Sequence, residues 1–152
     1  MAINYIKKYL SKDDFDELKN AIGKIEEHTT GEIRLCFKLK RGFHQRKSEV
    51  REIALKEFFK LGMDKTEEKT GVLIFILFGE RKFEIIADEG INSKIKQETW
   101  DLIINHLQTE FSKGKYKDGL LKCLNEIKNV LIADFPVQFK NTNELSNDIV
   151  IK

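Results

Sequence analysis

Gly71 to Phe78, GVLIFILF, constrains the fold more than any other stretch, because every position after the glycine is apolar. A strand with one face in water alternates apolar and polar residues, whereas a strand covered on both faces does not. The run therefore reads as the central strand of a sheet with packing on either side. Its length is far below what a bilayer crossing requires.

The flanking segments supply the layers. Ser11 with Asp13 and Asp14 makes a helix start, and Phe15, Leu18, Ile22 and Ile25 recur at helical spacing to about His28. Thr29-Thr30-Gly31 breaks that helix. Ile33, Leu35, Phe37 and Leu39 then alternate with Glu32, Arg34, Cys36 and Lys38, as in a strand with one strongly apolar face, expected near a sheet edge. Val50, Ile53, Ala54, Phe58 and Leu61 form a second helical stripe that Gly62 ends. Beyond the central strand, Gly79 to Lys82 is short enough for a hairpin, and Phe83, Ile85 and Ala87 mark a third strand. Two helices follow, one carrying Ile95, Trp100, Ile103, Ile104, Leu107 and Phe111, the other Leu120, Leu124, Ile127 and Leu131, with Lys113-Gly114-Lys115 between them. Pro136 marks the end of one domain over 1–136, and the tail 137–152 has no period that assigns it an element.

At 152 residues and 41% hydrophobic content, one core suffices without disulfide or metal. Lys+Arg 27 against Asp+Glu 25 nearly cancel, so no global field draws the chain to nucleic acid or to anionic membrane. The N-terminal MAINYIKKYLSKDDF has no apolar leader core, which leads to the expectation of a cytoplasmic protein. Cys36 and Cys123 stand apart from any ligand spacing and read as reduced structural thiols.

Strand–helix–strand order over 32–78 implies a parallel pair joined by a right-handed crossover, and the hairpin then reverses the chain. The end of the third strand, Asp88-Glu89, thus returns to the edge where Glu32 begins the first strand and where the loop Asp64-Lys-Thr-Glu67-Glu68 feeds the second. Carboxylates crowded on one rim are relieved by protonation, by lysines or by a hard cation. Ca²⁺ suits an all-oxygen, irregular donor set, and the absence of a nearby His or Cys cluster disfavours zinc and copper. Asp88, Glu89, Asp64, Glu67, Glu68 and Glu32 are the candidate ligands, for Ca²⁺ or another divalent ion, or for two ions. The plainer alternative is a set of turn and cap residues neutralised by Lys65, Lys69 and Lys94.

Four segments in order, EEHTTGEI (26–33), KTGVLIFI (69–76), ERKFEIIADEGIN (80–92) and FSKGKYKDGL (111–120), resemble the TPM domain family. The resemblance covers residues 12 to about 136. It implies a three-layer α/β/α sandwich around a mixed sheet of about four strands, one more than periodicity assigns. It also implies divalent-metal binding where two loops cross near Asp88, and an acid-phosphatase activity proposed for a plant member. Many members are exported or membrane-anchored, whereas this chain reads as the domain alone. Two functions are therefore expected in competition: a metal-responsive binding or regulatory module with an unidentified protein partner, and a metal-dependent phosphatase acting on phosphate monoesters at the same rim.

Other features read more plainly. GxSxG and P-loop patterns are absent, which argues against a covalent phosphatase mechanism. His28, His44 and His106 are scattered, and His106 reads as a packed or half-exposed helical residue. Lys38, Lys40, Arg41, Arg46, Lys47 and Arg51 form a basic cluster on the edge opposite the acidic rim, read as a solvated loop and helix start.

Overall fold

The computed structural model describes residues 2–137 and 145–152. A short helix, α1 (Ala2–Ile6), precedes α2 (Lys12–Glu26), which starts from a capping box: Asp14 N–H donates to Ser11 Oγ, and Ser11 N–H donates to the Asp14 carboxylate. Then follow β1 (Glu32–Lys38), α3 (Val50–Lys60), β2 (Gly71–Leu77), β3 (Lys82–Ala87), α4 (Glu89–Asn92), α5 (Gln97–Ser112), α6 (Tyr116–Asp134) and β4 (Val150–Ile151).

These strands form one mixed sheet in the order β3-β2-β1-β4. β1 is parallel to β2 in the register Glu32 opposite Gly71, and β2 is antiparallel to β3 with Val72 opposite Ala87. All seven positions of β2 are buried, as its uniform apolarity requires. Its side chains divide between two cores. Val72, Ile74 and Ile76 join Ile33, Leu35, Phe37 and the apolar stripes of α2, α5 and α6. Leu73, Phe75 and Leu77 join Cys36, Ile86 and the Val50–Phe58 face of α3. Helices thus cover both faces of the sheet.

β1 lies next to the edge, as its alternation predicts: only the two-residue β4 flanks it, pairing parallel through Cys36 and Phe37, and Lys152 N–H donates to Phe37 O at 2.8 Å. Along β1, Arg34 and Lys38 are partly sheltered. One boundary is corrected. The helix expected to carry Ile95 and Trp100 starts only at Gln97 and is preceded by a separate turn of helix, α4, which begins where the Asp88 side chain accepts from Glu89 N–H at 2.8 Å.

The end of α6 is clasped to the turn between α2 and β1. Thr30 N–H and Thr29 Oγ1–H both donate to Phe135 O, at 3.0 and 2.5 Å, and Val137 N–H donates to His28 O at 3.3 Å.

Candidate functional site at the crossing of two loops

The register of the sheet brings Glu32, Gly71 and Asp88 to one edge, and backbone bonds hold them there. Glu32 N–H donates to Thr70 O at 2.9 Å, and Asp88 N–H donates to Gly71 O at 2.9 Å. Between α3 and β2 the chain is shaped by its threonines: Thr70 N–H donates to Thr66 Oγ1, and Thr70 Oγ1 donates to Thr30 O, both at 2.9 Å. Both threonines are buried, so these bonds satisfy groups that water does not reach.

The loop so formed lies directly against the junction of β3 and α4. A Cβ placed on Gly90 would stand 2.3 Å from Glu68 O and 2.5 Å from Lys69 O, and one on Gly71 would stand 2.4 Å from Met63 O. Only glycine admits these approaches. The crossing is therefore lined by main-chain carbonyls as well as carboxylates.

At this crossing Asp64 and Asp88 are half-buried, and each has one carboxylate oxygen, Oδ1 of Asp64 and Oδ2 of Asp88, shielded from solvent without a hydrogen-bond partner. Two of the three lysines that would neutralise them are otherwise placed. Lys69, at φ 58°, donates its ammonium to Asp64 O at 2.9 Å, and Lys94 lies over the Phe135 ring. Neither aspartate forms an ion pair among the described residues. Glu67, Glu68 and Glu89 are exposed around them. Among the described residues no group of three His, Cys, Asp or Glu side chains is already gathered as a metal cage.

Glu32 belongs to a different arrangement. It is buried and faces Glu26 at the end of α2, also buried, and the Glu26 carboxylate accepts from Ile33 N–H at 2.7 Å. Burial, and then the neighbouring Glu32 charge, push the Glu26 carboxyl far above the ordinary range, so it retains a proton and the two acids coexist. Glu26 is absent from the sequence-derived set, yet a signal was present. It stands four residues beyond Ile22 and eight beyond Leu18, on the apolar stripe of α2.

The basic cluster lies at the other end of the sheet and is largely neutralised. Arg41 donates to Glu80 at 2.6 and 3.1 Å, to Gln45 O at 3.0 Å and to Ser48 O, while Arg51 pairs with Glu84 at 3.1 Å. Cys36 and Cys123 are both buried free thiols, and burial pushes Cys36 up to about 12. His106 pairs with Glu126 at 2.6 Å on the exposed faces of α5 and α6.

The sequence matches the family model of the TPM domain over residues 4–130. The chain belongs to the TPM domain family. The match is mirrored in three dimensions by the NMR structure of the BA42 protein from the psychrophilic bacterium Bizionia argentinensis, with 29% identity, TM-score 0.86, and coverage of 97% of this chain and 98% of that one. More distant structures of similar fold are the N-terminal domain of a P. gingivalis protein (16% identity, TM-score 0.70, 84% and 79% covered) and that of the cg2496 protein from Corynebacterium glutamicum (13%, 0.58, 82% and 76%). These last two share the fold alone. No curated protein matches the sequence. In this TPM domain, no helix among the described residues is long and apolar enough to cross a membrane.

Proposed function

We propose that this TPM domain is a divalent-cation-responsive binding module, with Asp64 and Asp88 as the central ligands and Ca²⁺ as the ion that suits them best. The observation that carries the reading is the pair of solvent-shielded, unpartnered carboxylate oxygens on two loops whose backbones touch. A buried carboxylate oxygen without a donor is costly, and a hard cation that accepts carboxylate, carbonyl and water oxygens in irregular geometry compensates it. The exposed carboxylates of Glu67, Glu68 and Glu89 stand close in sequence and supply further charge to the same rim. Glu32 is engaged with Glu26 instead. When bound, the ion supplies positive charge that ties the two loops together, and a partner then meets one fixed surface.

The test is calorimetric titration of chelator-treated protein with Ca²⁺, Mg²⁺ and Zn²⁺, on the wild type and on Asp64→Asn and Asp88→Asn. Saturable Ca²⁺ binding in the wild type, lost in both variants, is expected. Heat that is absent, or that survives both substitutions, removes the site. Assay of the same samples on 4-nitrophenyl phosphate, with and without ions, decides whether the rim also hydrolyses phosphate monoesters.

A further inference from the structure

At the edge of the sheet opposite the acidic rim, the domain contains a second concavity, independent of the cation site. It is a cavity of about 240 Å³ between the end of β2, the start of β3 and the turn joining α5 to α6. Tyr9, Phe83, Phe111 and Tyr116 are among its walls, and Arg81, Gln108 and Ser112 are its exposed polar lining, Arg81 alone carrying charge. The rings are locked against one another: Tyr9 and Tyr116 meet edge-on at 4.8 Å, Phe111 and Tyr116 at 5.1 Å, and Phe83 and Phe111 at 5.1 Å. Such walls are rigid and do not collapse into the space between them.

Arg81 is the unusual member. Its backbone is left-handed, φ 52° and ψ 47°, where Gly or Asn would close the turn at lower conformational cost. A strained position holding a long cationic side chain points to use of the guanidinium. That guanidinium has no carboxylate partner among the described residues. The adjacent acid, Glu80, is taken by Arg41 at 2.6 Å and approached by Lys82 at 3.8 Å. The other arginines are engaged: Arg34 with Asp148 O, Arg41 with Glu80, Arg46 over the Phe43 ring and Arg51 with Glu84.

We propose that this cavity binds a small aryl monocarboxylate, its rings among the aromatic walls and its carboxylate on Arg81. Size and charge select this class. A dry cavity of about 150 Å³ accommodates benzene, so the larger space here suits roughly two fused rings. Below the usual range for drug-sized ligands, it excludes extended cofactors. A planar guanidinium offers paired N–H donors to a single carboxylate, which a neutral aromatic cannot use.

The experiment is an NMR titration of the isotopically labelled full chain with 2-naphthoate and, separately, with the neutral 2-naphthamide. Saturable shifts at Tyr9, Phe83, Phe111 and Tyr116 are expected, with a dissociation constant of about 1 mM or tighter for the carboxylate. Arg81→Gln, which leaves the walls intact, should weaken 2-naphthoate by about tenfold or more while leaving 2-naphthamide unchanged. Shifts that fail to saturate, shifts centred elsewhere, or an Arg81→Gln variant that binds 2-naphthoate as the wild type does would each overturn the assignment.

Discussion

The two ends of β2 handle charge in opposite ways. Where the strand ends, the basic loop after β1 is drawn closed: Arg41 gathers Glu80, Gln45 O and Ser48 O around one guanidinium. Where the strand begins, Asp64 and Asp88 each keep a buried oxygen with nothing to accept, although lysines are available in the same loops. A density of charge in the sequence therefore says little about readiness to bind. What distinguishes the ends is whether the fold itself has supplied the partner.

The strongest way to break this comparison is to separate the two loops of the acidic rim. Gly90→Ala forces a methyl into Glu68 O and Lys69 O, so we predict a loss of about 3 kcal/mol or more, read as a fall of about 10 °C in thermal unfolding. A Gly90→Ala protein that melts like the wild type would show that the crossing is not a rigid contact.

Next in size is the cation effect. Hundredfold Ca²⁺ over its dissociation constant should add about 2.7 kcal/mol, or about 5 °C or more in the melting temperature. Asp88→Asn should abolish this gain while the ion-free protein melts normally, because an asparagine still caps α4 through its side-chain oxygen. The opposite pattern, no gain in the wild type and a destabilised variant, would reduce Asp88 to a cap.

An effect spread over pH sharpens the assignment of Glu32. Glu26 holds its proton in the folded chain to about pH 9, against 4.5 as the ordinary value. Between those values the unfolded chain binds fewer protons, so stability declines as pH rises, by at most about 1.4 kcal/mol per unit. The contribution is complete below 4.5 and exhausted above about 9. Glu26→Gln imitates the protonated acid, and its denaturant midpoint should fall less steeply with pH than that of the wild type. Parallel profiles would mean that the pair does not share a proton.

The smallest effect belongs to the basic end. Arg41→Ala should lower the melting temperature by a few degrees, since three segments lose their common donor. Lys40→Ala and Lys47→Ala, on exposed side chains, should leave it unchanged. Equal losses from all three would mean that the loop's net charge matters, not the Arg41 contacts.

Much of this was legible in the sequence because burial on both faces leaves an unmistakable trace. GVLIFIL located β2, and the order of elements around it sufficed to bring Glu32, the 64–68 loop and Asp88 to one edge. Periodicity is silent where an element is too short to repeat. β4 is two residues long, and α4 is a single turn whose start depends on one Asp88 bond. It is silent also on which acids meet. Glu32 and Asp88 share an edge, but the partner of Glu32 came from α2, a helix whose packing no strand pattern encodes.

The clasp of Phe135 O by Thr29 and Thr30 has a consequence for time as well as for stability. Thr29 and Phe135 are separated by 106 positions, so closing their bond carries a large loop-closure cost. We predict that it forms late and is absent from the folding transition state. Its loss falls on the rate of escape from the native state and leaves the rate of arrival alone. Thr29→Val, which keeps the shape and removes the donor, should therefore raise the unfolding limb in stopped-flow denaturation and leave the refolding limb in place; a slowed refolding limb would place the clasp in the nucleus instead. On this basis the turn after α2 acts as a latch, setting how long a folded molecule persists before it first opens.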